Sequence, residues 1–237
     1  MDPISQGAIG AAFAQSATSA EKIRAYAIFG CLAGMAPDLD VFIQSSTDPL
    51  LFLEYHRHFT HALIFIPFGA ALVTAVLQKI LRLGLSWRQA YIACLFGYAT
   101  HGLLDACTSY GTQLFWPFSD TRIAWNNISV VDPLFTLPLL VLVILSIRRR
   151  KRSFALGAIV WVLLYLCFGF IQHHRATLGA EQFAQLQGHN PARLTLKPGF
   201  GTLLLWKSIY AHNGVYHVDA IRTGLATTIC PGDQIEI

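Results

Sequence analysis

The chain has 237 residues and a formal net charge of +4, and it is 54% hydrophobic with only 13% charged residues. Against the roughly 25% charged residues of a typical soluble domain, this excludes an ordinary soluble enzyme and points to an integral membrane protein. The basic surplus does not indicate a nucleic-acid binder, because the Lys and Arg residues sit mainly in short loops between apolar runs, the pattern that orients membrane proteins.

About 20 apolar residues cross a bilayer. Residues 4–19 are apolar but rich in Ala, Gly and Ser; such a segment spans weakly, lies at the interface or packs tightly through its small side chains. Clear spans are expected at 25–43, 59–81, 89–109, 131–147 and 154–171. The expected fold is an all-α polytopic membrane protein of about five or six transmembrane helices over residues 1–171. A small β-containing extracytoplasmic region follows at 172–237. There, 192–197, 202–210 and 215–221 have strand-like content, and Asn213-Gly214 is a hairpin signal because both turn positions want positive φ. Cys31, Cys94, Cys107, Cys167 and Cys230 show no CxxC spacing, so neither a disulfide framework nor a thiolate zinc site is expected. No cleavable signal peptide is apparent, and the first helices read as uncleaved insertion signals.

The basic residues set the orientation. Lys22 and Arg24, then Lys79, Arg82 and Arg88, then Arg148 through Arg152 fall on alternate loops. These loops are cytoplasmic by the positive-inside rule. It follows that Asp38, Asp40, His56, His58, His61, His101 and Asp105 all lie at the opposite face, joined by Asp2 and Gln6 if the first segment spans. Ionisable groups are costly in lipid and are retained there for function.

His101 and Asp105 are four apart on a predicted helix and share one face. His56 and His61 flank a loop-to-helix junction, where Thr60 can cap the helix and Arg57 can hold a phosphate or pair with Asp40 or Glu54. Asp38 and Asp40 point the same way in an extended stretch and about 200° apart on a helix, in which case one ligates while the other orients a histidine. Imidazole with carboxylate suits zinc, with manganese or iron as alternatives, better than the all-oxygen ions calcium and magnesium. In the loop 108–132, Trp116, Phe118 and Trp125 suit an interfacial belt, and Asp120, Arg122, Asn126, Asn127 and Asp132 offer polar contacts over the site. His173, His174, His189, His212 and His217 are read as nonligands.

These motifs carry a resemblance. PDLD at 37–40, HRHFTH at 56–61, the stretch 97–125 containing His101 and Asp105, and VVDPLFTLPLL at 130–140 resemble the YdjM-like family of membrane-bound metal-dependent hydrolases, over most of 1–171. The resemblance implies metal ligation by Asp38, Asp40, His56, His61, His101 and Asp105. Two departures stand out: His58 replaces a usual Gly, and Ser5-Gln6 replaces a Thr-His pair. A remote similarity to zinc phospholipase C and P1-type nucleases suggests phosphoester chemistry.

The expected function is a metal-dependent hydrolase of the cytoplasmic membrane, its site on the extracytoplasmic side. It would act on a phosphoester or lipid-type ester through a metal-activated water, with Asp40, His61, Asp105 and Arg57 in the chemistry and Arg57 or Arg122 holding phosphate. Its partners are the bilayer and an ester substrate of unassigned identity, with no nucleic acid. The rival readings are a metal-binding or transport protein and a noncatalytic membrane scaffold.

Overall fold

In a computed structural model describing residues 1–236, the helices come first and the strands last. They are α1 (Pro3–Ser16), α2 (Ile23–Met35), the short α3 (Leu51–Tyr55), α4 (Ile66–Leu81), α5 (Trp87–Ala106), α6 (Pro133–Arg149) and α7 (Arg152–Leu186). Among the described residues, three segments are long and apolar enough to cross a membrane: Ile23–Phe42, Leu63–Leu81 and Arg152–Leu186. This is fewer than the five or six expected. Helices do form at the other anticipated places, but α5 is diluted by Gln89, Gly97, Thr100, His101 and Gly102, and α6 has 17 residues.

The small-residue segment packs rather than facing lipid. Along α1, Ser5 through Ala12 are buried, as are Ala14 and Gln15. Asp2 caps its start, accepting from the Ser5 backbone amide at 3.0 Å, and the side-chain Nε2 of Gln15 donates to the Val143 carbonyl of α6. Only glycine permits the approach of α1, α2 and α5. A Cβ on Gly10 would lie 2.4 Å from the Gly30 carbonyl oxygen, and one on Gly97 would lie 2.2 Å from that same atom. Backbones this close pack by dispersion with little side chain between them, as small-residue interfaces do in membranes.

The span anticipated from residue 59 begins later as a helix. Residues 59–61 and 63–65 are short 3-10 turns, and α4 starts at Ile66 with Pro67 in its first turn, where proline costs no hydrogen bond. At the far end α7 continues past 171 to Leu186, so the anticipated boundary at 171/172 falls inside a continuous helix.

The tail forms an antiparallel meander, β1 (Leu194–Pro198), β2 (Leu205–His212), β3 (Val215–Thr223) and β4 (Thr227–Glu236). The first three were expected. Asn213 and Gly214 both have positive φ, 49° and 77°, as a two-residue hairpin turn demands. β4 was not foreseen: it contains Pro231-Gly232 beside a register shift between Val218 and Ala220, which an edge strand tolerates. Leu196, Trp206 and Ile221 pack against Ala176 and Ala180 of α7. Leu203, between β1 and β2, inserts into the bundle core with Leu104 and Ile128. The sheet is thus docked on the end of the bundle.

The glycine contact gives a direct test. Gly97→Ala should destabilise the protein by on the order of 3 kcal/mol through overpacking, seen as a lower Tm and aggregation in detergent. Gly157→Ala, whose new Cβ would meet nothing nearer than Leu142 at 3.9 Å, should leave Tm unchanged or raise it.

Candidate metal centre

The end of α2 tightens into a 3-10 helix over Ala36–Phe42. With about three residues per turn, Asp38 and Asp40 point in different directions. Asp38 faces the ends of α5 and the 3-10 turn at 59–61, while Asp40 faces the loop bearing His56. The ligand-bearing parts are the end of α2, the turn before α4, the end of α5 and the start of α1, so the candidate residues meet at one end of the bundle.

Four side chains form the centre: Asp38, His61, His101 and Asp105. His61 Nε2 lies 3.4 Å from Asp38 Oδ1 and 3.4 Å from Asp105 Oδ2. His101 Nε2 lies 3.3 Å and 3.7 Å from the same two atoms. A tetrahedral ion with bonds near 2.0–2.1 Å requires ligand atoms about 3.3 Å apart. His61, His101 and Asp105 have buried side chains, while that of Asp38 is 24% exposed, making Asp38 the accessible edge.

The protonation pattern favours a cation. His101 Nδ1 is 2.6 Å from the Gly34 carbonyl, which can only accept, so Nδ1 carries the hydrogen and Nε2 presents a lone pair. Thr60 Oγ1 donates to Asp40 Oδ2 at 2.8 Å. With its hydrogen spent, it accepts from His61 Nδ1 at 2.9 Å, and Asp40 Oδ2 also lies 3.3 Å from that nitrogen. Both Nε2 atoms are thereby directed at each other across 2.9 Å, and something positive must lie between them, a proton or a metal ion. Burial opposes charge on His61, but Asp105, Asp38 and Asp40 outweigh it and push its pKa up to about 10. Asp105 Oδ2 is buried without a hydrogen-bond partner. These observations fit a divalent ion with an N2O2 donor set.

Asp40 plays a different part from Asp38. Its Oδ1 meets His56 Nδ1 at 2.8 Å, and its Oδ2 accepts from the Arg57 amide at 3.1 Å as well as from Thr60. A carboxylate so engaged orients the imidazoles, the outer-shell arrangement that fixes metal ligands. Thr60 therefore serves the site and does not cap α4. Asp38, Asp40 and His56 form a second, more open group sharing Asp38 with the first.

Arg57 adopts φ 62°, a left-handed conformation costly for a residue with a side chain. It turns the Arg57 amide to Asp40 while the side chain reaches Asp105 (Nε to Oδ2, 3.1 Å) and Thr108 (Nη1 to Oγ1, 3.0 Å). Its partner is thus Asp105, not Asp40 or Glu54 by side chain. Arg122 is committed elsewhere, donating to the carbonyls of Leu53, Glu54 and His56 at the end of α3, so it is not free to hold phosphate. His58 packs against Tyr55, Phe59 and Trp116, a local contact, and burial with the nearby Arg122 charge lowers its pKa. Asp132 caps α6 and accepts from Tyr165, a structural post. Gln6 donates to Asp105 Oδ1 at 2.9 Å and keeps an unpartnered buried Oε1. The Met1 ammonium also pairs with Asp105, a contact no motif announces. In the tail, the His212 and His217 rings lie 4.2 and 4.6 Å from that of His189, outside the metal centre.

Residues 1–176 match the family described as YdjM inner membrane protein, and the chain belongs to that family. It is also 30% identical over 108 residues to the "Uncharacterized protein YfhP" of Bacillus subtilis (strain 168), a stretch covering 43% of this chain and 31% of that one. The chain thus matches about a third of that relative's length. No solved structure matches. The sheet lies beyond the family match.

Asp40→Asn keeps the size of the side chain but removes its charge and one accepting oxygen. It is expected to lower zinc affinity by about 10- to 100-fold with Tm little changed, as measured by competition with a chromogenic chelator.

Proposed function

Starting from a member of the YdjM inner membrane protein family, we propose a metal-dependent hydrolase that cleaves a phosphoester or related ester of a membrane lipid. The observation that carries this reading is the N2O2 set of Asp38, His61, His101 and Asp105, three of them buried, whose donor atoms lie close enough together to share one ion. Zinc suits this donor set best, with manganese or iron next. A divalent ion held there supplies Lewis acidity and an acidified water.

The chain's own residues would do the rest. His101 is locked by the Gly34 carbonyl and His61 by Thr60 and Asp40, so neither ring needs to reorganise. Asp38 lies on the open edge, where the ester would approach. Arg57 places its guanidinium against Asp105, where it would face an anionic oxygen of the substrate. Apolar side chains surround this edge: Leu39, Phe42, Leu50, Leu53 and Phe118 are all more than 60% exposed. Such a rim suits immersion among lipid headgroups and acyl chains, which supports a lipid substrate. The alternation of basic loops supports an extracytoplasmic site in a multi-pass protein of the cytoplasmic membrane.

The purified protein in detergent should hold a stoichiometric divalent ion by elemental analysis and release product from short-chain phospholipid esters. His101→Ala/Asp105→Ala should reduce both by more than about 100-fold, beyond the cost of an outer-shell change. A wild-type protein that holds metal yet hydrolyses no phosphate or carboxylate ester would refute the enzymatic part of this reading.

A further inference from the structure

Between the bundle end and the sheet lies a cavity of about 540 Å³, within the size range of small-molecule sites. One wall comes from the loops that follow α5 and precede α6, through Ser109, Tyr110 and Ser129. The other comes from β1 and β2, through Lys197 and Lys207. These lysines are directly opposite each other in the β1–β2 register, so they project from the same face of the sheet. Like charges so placed repel and destabilise a strand pair. Among the described residues, none of the ion pairs involves either lysine. Neither ammonium is committed to a carboxylate, so both are available to an anion in the cavity.

The cavity also adjoins the metal centre. The Tyr110 ring lies 5.2 Å from the Arg57 guanidinium carbon, and Arg57 Nε is 3.1 Å from Asp105. Tyr110 on the cavity wall and Arg57 behind it thus connect the cavity to Asp105 of the candidate metal centre. The rim is apolar, with Val131 and Phe200 exposed at its edge. Two ammonium groups and two serine hydroxyls suit a phosphoryl anion, and the apolar rim suits the lipid body attached to it.

We propose that this cavity is a subsite for the phosphoryl headgroup of an anionic lipid, its cationic wall contributed by the C-terminal sheet. It deepens the hydrolase reading and rests on it for the claim that the bound lipid is substrate. The substrate class it selects is an anionic lipid rather than a zwitterionic one, because a headgroup amine would meet the lysines.

The test uses the full chain, metal-loaded, in detergent, with Lys197→Ser/Lys207→Ser and Lys197→Arg/Lys207→Arg variants. Both lysines are exposed, so the fold and metal content should be retained. Isothermal titration is run with three probes: short-chain phosphatidic acid, short-chain phosphatidylcholine and inorganic phosphate. At roughly 1 kcal/mol per lysine, the serine variant should bind phosphatidic acid roughly 30-fold more weakly. The arginine variant should bind it nearly as wild type does, and phosphatidylcholine should bind weakly to all three. Inorganic phosphate should bind more weakly than phosphatidic acid yet show the same dependence on the lysines. If phosphate binds as tightly as the lipid, the ligand is a soluble anion and the lipid assignment is overturned. If the serine variant binds phosphatidic acid like wild type, the subsite is overturned, whatever the enzyme hydrolyses. Loss of binding in the serine variant, in a protein that turns over no ester, would uphold the anion site and remove only the catalytic reading.

Discussion

The structure depends on a close approach of three helix backbones. Gly10 on α1, Gly30 on α2 and Gly97 on α5 meet with no room for a methyl group between them. In lipid, the apolar faces of helices gain little from leaving the solvent, so close packing is one of the main terms holding them together. The same contact sets the geometry of the candidate metal centre. Gly34, one turn beyond Gly30, offers its carbonyl to His101, one turn beyond Gly97. Gln6, one turn before Gly10, reaches Asp105. Moving any of these helices outward would separate donors that belong to different chain segments.

The cluster gathers two carboxylates, two imidazoles and a guanidinium in a largely water-free place. Isolated, each buried charge would cost several kcal/mol. With Asp40 beside them the carboxylates number three against the Arg57 guanidinium and the Met1 ammonium, and a cation at the meeting point of the two Nε2 atoms would offset the remaining negative charge. The outer contacts then make sense. Thr60 and Asp40 hold His61, the Gly34 carbonyl holds His101, and Arg57 meets Asp105, the kind of outer support that a selective metal site needs.

Much of this was legible in the chain. Donors at the edges of apolar runs are so costly that their positions alone mark the site, and the alternation of basic loops gathers them on one face. The division of labour between Asp38 and Asp40 was open, because it depends on a 3-10 turn that proline at 37 allows but does not dictate. Arg122 looked like a free cation, and its capture by the carbonyls ending α3 is a tertiary contact that no local pattern announces. β4 was hidden by Pro231 and Gly232, which weaken strand signals and are tolerated only because β4 is an edge strand. The continuation of α7 was masked by polarity. Gln172, His173, His174 and Arg175 read as an exit from the membrane, yet leaving lipid does not end a helix, and no proline follows before Leu186.

That continuous helix has a mechanical consequence. Thirty-five residues make a rod about 52 Å long, against a hydrocarbon layer of about 30 Å. The final turns stand clear of the lipid and carry the sheet through Gln172, Arg175 and Ala176. The sheet is fastened directly to the helix by these contacts, so it inherits its height and its compass bearing from the helix. Adding one residue to the rod between the bundle and Gln172 would turn the sheet by about 100° and lift it by about 1.5 Å. Such a rotation would swing Leu203 out of the bundle core and carry β1 and β2 away from the loops they now face. Length in this helix is therefore counted in single residues, and the chain beyond the family match is phased to the membrane domain as tightly as the helices within it.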